Sequence, residues 1–175
     1  MSKIKMQAVR ICWPNLFSTA LFGGEDTGKY DSTFILDKKD HAETIKEIEQ
    51  AIALITKEKW KGKSLSEDRI CLKDGDDTDR EEYQNAYTIK AATKQKPLVI
   101  DRDKRPLSED DNVIYAGCYV NAIVTLWAQN NQFGKRINAS LEGVQFVRDG
   151  EPLGGGGVDV DEFDVFEQET DEMPF

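Results

Sequence analysis

Val113-Ile114-Tyr115-Ala116-Gly117-Cys118-Tyr119-Val120-Asn121-Ala122-Ile123-Val124-Thr125-Leu126-Trp127 is the longest extended pattern in this chain. β-branched and aromatic residues dominate it and no proline interrupts it, which is the composition of a strand. Its apolar density predicts a central strand buried on both faces, with Tyr119 and Trp127 in the core. Asn130-Asn131-Gln132-Phe133-Gly134-Lys135 then reads as a turn, and Ile137–Val147 as a strand that pairs back. A long hairpin is therefore expected at the end of the fold.

Working outward, Lys3–Trp13 alternates charged and apolar residues and is a strand that Pro14-Asn15 ends. Gly23-Gly24 through Gly28 is a turn or loop, and Tyr30–Leu36 is a second strand. Tyr87–Ile100 has strand character broken by Pro97, and Asp101–Asn112 is a charged connection. One helix stands between the early and middle strands. Asp40-His41-Ala42-Glu43 fits a capping box. Ile45, Ile48, Ile52 and Ile55 then recur at helical spacing to about Glu58. His41 reads as a surface residue of the first turn. There is no βαβ alternation. The expected fold is mainly β with one principal helix, an antiparallel sheet or small closed barrel with long loops.

The formal charge is −10, from 33 acidic and 23 basic residues. Ten of the acids lie from Asp149 onward with no Lys or Arg among them, so residues 1–148 are balanced. The acidic isoelectric point therefore belongs to the C-terminal segment and says nothing against a cationic surface on the body. Two units follow: a domain over 1–153, and a tail over 154–175 that begins at Gly154-Gly155-Gly156-Gly157 and whose composition predicts disorder.

Several classes are disfavoured. No apolar run reaches the roughly 18 residues of a membrane span. Met1-Ser2-Lys3-Ile4-Lys5 lacks a signal-peptide pattern, so a cytoplasmic protein is expected. Cys12, Cys71 and Cys118 are far apart, and His41 is the sole histidine, which predicts packed reduced thiols and no zinc. No nucleophile elbow and no phosphate-binding glycine motif occurs, and no cofactor is expected. The acidic run Asp74, Asp76, Asp77, Asp79, Glu81 and Glu82 lacks EF-hand spacing, because Asp79 stands where the loop needs Gly. It leaves open a metal-dependent nuclease, although a solvated loop fits it as well.

Cations and rings interleave elsewhere. Lys90, Ala92 and Lys94 share one strand face, with Lys96 if the strand stays regular. Lys3 and Lys5 lead to Trp13, Arg105 follows the middle strand, and Phe133 sits with Lys135 and Arg136 at the hairpin turn. Single-stranded nucleic acid asks for this pairing of phosphate cations with ring faces. Trp13, Tyr87 and Phe133 are the stacking candidates, and each also fits a core position. A charged outer strand face gives the same pattern.

The ending Asp171-Glu172-Met173-Pro174-Phe175 resembles the acidic tip of bacterial single-stranded DNA-binding proteins, with Met173 where an Ile is usual. The body resembles the single-stranded DNA-binding proteins of tailed phages. Leu72–Asp76, Tyr83–Pro97, Val113–Asn121 and Val147–Gly154 carry that likeness in order. The resemblance implies an OB-fold core and little sequence preference. It also implies recruitment of replication and recombination proteins through Asp171–Phe175. It implies no catalysis, and it leaves a homodimer and an adaptor without DNA binding as open readings.

Overall fold

The hairpin forms, but its first strand starts at Tyr119 rather than Val113. In this computed structural model, which describes residues 2–153, β1 spans Ser2–Asn15, β2 Leu21–Phe22, β3 Glu25–Asp26 and β4 Tyr30–Asp37. The helix α1 is Ala42–Trp60, followed by β5 Leu72–Asp74, β6 Ala86–Thr93, β7 Leu98–Ile100, β8 Tyr119–Asn131 and β9 Gly134–Arg148. The expected tail over 154–175, with its tip Asp171–Phe175, lies outside the described residues.

Five strands close a barrel. β1 pairs with β4 and β8, β4 with β6, and β8 with β9, all antiparallel. A parallel contact, Ala92↔Ser140, joins β6 to β9 and shuts the ring. A purely antiparallel sheet cannot do this here, because β6 and β9 run the same way after their separate connections. The result is an OB-like mixed barrel, with β5 on the edge of β6 and β7 on the edge of β9. Below the Ala92 contact, β5 and its neighbours fill the gap: the Cys71 amide donates to the Ile137 carbonyl at 3.0 Å.

A closed barrel has one inside, so strands bury alternate residues. Along β8, Val120, Ala122, Val124 and Leu126 are buried, while Tyr119, Asn121, Ile123, Thr125 and Trp127 face outward and are half-buried. The expected burial on both faces fails for that reason, and Tyr119 and Trp127 are not core residues. The interior also holds Ile4, Met6, Val9, Ile11, Phe34, Leu36, Ile89, Ile137 and Leu141. Onto this core α1 packs Ile45, Ile48, Ile55 and Trp60.

The helix starts differently from the capping-box expectation. Its N-cap is His41 and makes no side-chain cap bond. Asp37 Oδ1 instead accepts from the amides of Lys39 (2.8 Å) and Asp40 (2.9 Å), which takes over the turn. These bonds hold the Asp37 carboxyl below the usual range. His41 is not a free surface group. Its Nδ1 accepts from the Asp37 amide at 3.0 Å, and its Nε2 lies 3.2 Å from the carbonyls of Gln7 and Ala8. Ala8 is a bulge residue with φ of 52°. The single histidine thus pins the bulge of β1 to the start of α1.

Candidate nucleic-acid interface

Strand register turns the barrel exterior into rows. One row runs Asn15–Asp31–Ala92–Ser140–Thr125–Lys3 across β1, β4, β6, β9, β8 and back to β1. It returns to β1 twelve residues from its start, and two of those residues are the extra ones of the bulges in β1. Strands so staggered are steeply tilted, so the row winds obliquely over the surface. At about 4.8 Å per strand it is about 24 Å long. Its middle positions, Ala92, Ser140 and Thr125, are small, which leaves a shallow floor.

Cations flank that floor, together with one exposed carboxylate, Glu142, whose Oε2 accepts from the Thr125 hydroxyl at 2.7 Å. Lys90 and Ala92 share a face, and Lys90 Nζ lies 3.8 Å from Asp31 Oδ2 while remaining largely exposed. Lys94 and Lys96 follow β6 in the next turn, where Lys96 Nζ stands 6.0 Å from the Phe17 ring centre. At the other end Lys3 and Lys5 point outward from β1. Arg136 shares the outward face of Ser140, and its Nη1 donates to the Asp68 carbonyl at 3.4 Å. Lys135 is exposed beside it.

Two loop tips present rings to solvent. Phe133 is 72% exposed in the β8–β9 turn, where its amide donates to Asn131 Oδ1 at 2.9 Å. Phe22 is 82% exposed at the end of β2. Gly23 and Gly24, with φ of 62° and 85°, make the two-residue turn to β3 that holds it there. Phe22 and its neighbour Leu21 escape sequence reasoning, because a short hairpin inside a glycine-rich loop gives no periodic signal. In OB folds the second and third strands and the first and last inter-strand loops carry oligonucleotides. Here these are β4, β6, the loop bearing Phe22 and the turn bearing Phe133.

Three expected residues are engaged in other contacts. Tyr87 is three positions from Lys90 and so faces the other way. It lies under the Lys38 ammonium, 5.2 Å from its ring centre, beside Glu49 and Asp74. Burial first, then those two carboxylates, push its hydroxyl pKa up. Trp13 sits in a left-handed conformation (φ 53°) with the Arg80 guanidinium 5.1 Å from its ring centre. Arg105 belongs to the loop after β7, where its amide donates to Asp101 Oδ1 at 2.9 Å.

Two carboxylates of the acidic run are tied up internally. Lys38 Nζ reaches Asp74 Oδ1 at 2.8 Å and Asp76 Oδ2 at 2.7 Å. Asp76 Oδ1 accepts from the Asn85 amide at 2.7 Å. Hydrogen bonds from Lys38 are the main cause that lowers both carboxyl pKa values. Among the described residues, no three His, Cys, Asp or Glu side chains gather as a metal-holding group. No helix among them is long and apolar enough to cross a membrane.

Known proteins resemble this chain over most of its length. The family described as the ssDNA-binding protein of Enterobacter phage Enc34 matches residues 2–174. A protein called putative protein p50, from Acyrthosiphon pisum secondary endosymbiont phage 1, is 40% identical over 172 residues, covering 93% of this chain and 92% of that one. The solved structure of the Enc34 single-stranded DNA-binding protein in complex with ssDNA superposes with a TM-score of 0.79 at 33% identity. It covers 87% of this chain and 90% of that one. The bacteriophage T7 single-stranded DNA-binding protein gp2.5 shares the fold alone, with a TM-score of 0.55 at 13% identity over 91% of this chain and 98% of that one.

Proposed function

The chain belongs to the phage Enc34-type family of single-stranded DNA-binding proteins, which are binders rather than enzymes, and we propose that it coats single-stranded DNA with little sequence preference. The observation that carries the reading is the small-residue row Ala92–Ser140–Thr125 bordered by cations and flanked by two exposed rings. Phosphates pair with Lys90, Lys94 and Lys96 on one side and Lys3, Lys5, Lys135 and Arg136 on the other. Bases stack on Phe22 and Phe133, each stack contributing about 1–3 kcal/mol. The half-buried outward ring of Trp127, across from Asn138, is a third stacking surface. Small floor residues let a strand lie close, and cations on phosphates with rings on base faces carry little sequence preference. Titration with oligo-dT, oligo-rU and a duplex tests this. Tight binding to oligo-dT supports it, and equal weak binding to all three overturns it.

The tail 154–175 is proposed to act twice: as a competitor for the cationic surface, and as a lure for replication and recombination proteins through Asp171–Phe175. Support comes from where the described chain ends. Leu153 packs on the outer side of β1 and β4 with Cys12, Ile35, Tyr83 and Ala86. Cys12 is in register with Thr33, and Thr33 with Lys90. Cys12, in the cluster that holds Leu153, is thus two strand spacings, about 10 Å, from Lys90. Deleting Asp159–Phe175 should preserve or tighten DNA binding, and weaker binding counts against competition. Deleting Phe175 alone should abolish recruitment of a partner while DNA affinity stays unchanged.

A further inference from the structure

A groove of about 710 Å³ runs between α1 and the segment before and after β5. Its floor is apolar: Ile52 and Ala53 from the helix, Leu65, Ile70 and Leu72 from the segment, and the ring of Tyr87. Ile52, Leu65, Ile70 and Leu72 are each only half-buried, so this floor keeps apolar area exposed to water. Around it stand Glu49, Glu67, Asp68 and Asp77, all exposed, with Lys73 the one cation among the described lining residues. Asp74 also borders it but is already paired with Lys38. Phosphate is repelled from such a rim. Tyr87, on the opposite side of β6 from Lys90, forms part of the groove floor.

We propose that this groove docks a cationic amphipathic segment of a partner protein, with apolar side chains on the Ile52–Leu65–Leu72 floor and Lys or Arg against the carboxylate rim. Charge selects the occupant. An acidic or neutral apolar peptide leaves four exposed carboxylates uncompensated, whereas a basic one pairs with them. An amphipathic segment in an apolar groove is an established recognition mode. The groove shares no lining residue with the small-residue row, so the body can hold such a partner while DNA is bound. This contact is separate from the C-terminal tip and does not depend on the DNA-binding reading.

The test uses the full chain and two synthetic peptides of equal positive charge, one of Leu and Lys arranged as an amphipathic helix, the other with each Leu replaced by Ser. Both peptides carry the same charge toward the acidic C-terminal segment, so their difference reports apolar docking, and the methyls that shift show where it occurs. Methyl NMR should show shifts at Ile52, Leu65, Ile70 and Leu72 with the Leu–Lys peptide only, with or without saturating oligo-dT. Ala53→Arg, at an exposed position, should weaken that binding about tenfold, and Glu67→Lys with Asp77→Lys should do the same. Thermal melts of each variant confirm that it folds. Identical shifts from both peptides, shifts away from these methyls, or unchanged affinity in the folded variants overturn the proposal.

Discussion

The Gly150 amide donates to the Tyr115 hydroxyl at 3.0 Å, and that hydroxyl lies 3.0 Å from both Asp149 Oδ1 and the Gly150 carbonyl. Around this knot the strap 149–153 is stitched to the barrel. Arg10 Nε donates to the Gly117 carbonyl at 3.0 Å, an Arg10 guanidinium nitrogen reaches the Glu151 carbonyl, and the Leu153 amide donates to Ala116 at 2.9 Å. Gly117, with φ of 111°, leaves no space for a β-carbon against the Glu151 backbone. Gly117→Ala should therefore cost on the order of 2 kcal/mol, from backbone strain plus overpacking. The urea midpoint reads it, and an unchanged midpoint contradicts the packing described.

Phe22→Ala and Phe133→Ala should each weaken oligo-dT binding by about 1–3 kcal/mol. Neither should move the melting temperature, because both rings are exposed and pack on nothing that folding needs. Loss of stability together with affinity would mean that the rings are structural.

How much of this surface the sequence discloses depends on the residue. The hairpin β8–β9 is plain from Val113–Val147, and the lysine stripe of β6 follows from strand parity alone. The same parity separates Tyr87 from Lys90, but a single strand cannot say which face is the inside. Trp127 and Tyr119 look like core for that reason, and the closing Ala92↔Ser140 contact decides against it. Phe22 is invisible for a different cause. Its two-residue strand has no period, and only the positive φ of Gly23 and Gly24 makes it a tip. The capping box at Asp40 loses to Asp37, whose carboxylate bonds two amides before the helix begins.

Acid should loosen the β5 loop. Lys38 lowers the pKa of Asp74 and Asp76, so their contribution is present above the ordinary carboxylate range and is lost as pH falls through the depressed values. Lys38→Met removes the cause. The variant should be less stable than the parent near neutrality, and the gap should narrow below about pH 4. Parallel stability curves across that range contradict the assignment.

The thiols should be silent in the folded protein. Burial pushes Cys71 up to about 12, and it raises Cys12 and Cys118 as well. Thiolate is the reactive form. A thiol-specific reagent at neutral pH should label none of the three until urea unfolds the chain. Rapid labelling of native protein would contradict their burial.

The central claim is that phosphates are held by the cations beside the Ala92–Ser140–Thr125 row, Lys90 and Lys3 among them. Oligo-dT affinity measured over a range of salt for the parent, Lys3→Gln, Lys90→Gln and the double variant tests it most directly. The account predicts a linear fall of log affinity with log salt, with each substitution reducing the slope by about 0.7 and the double variant by about 1.4. A flat salt response in the parent, or slopes unchanged by both substitutions, would contradict it.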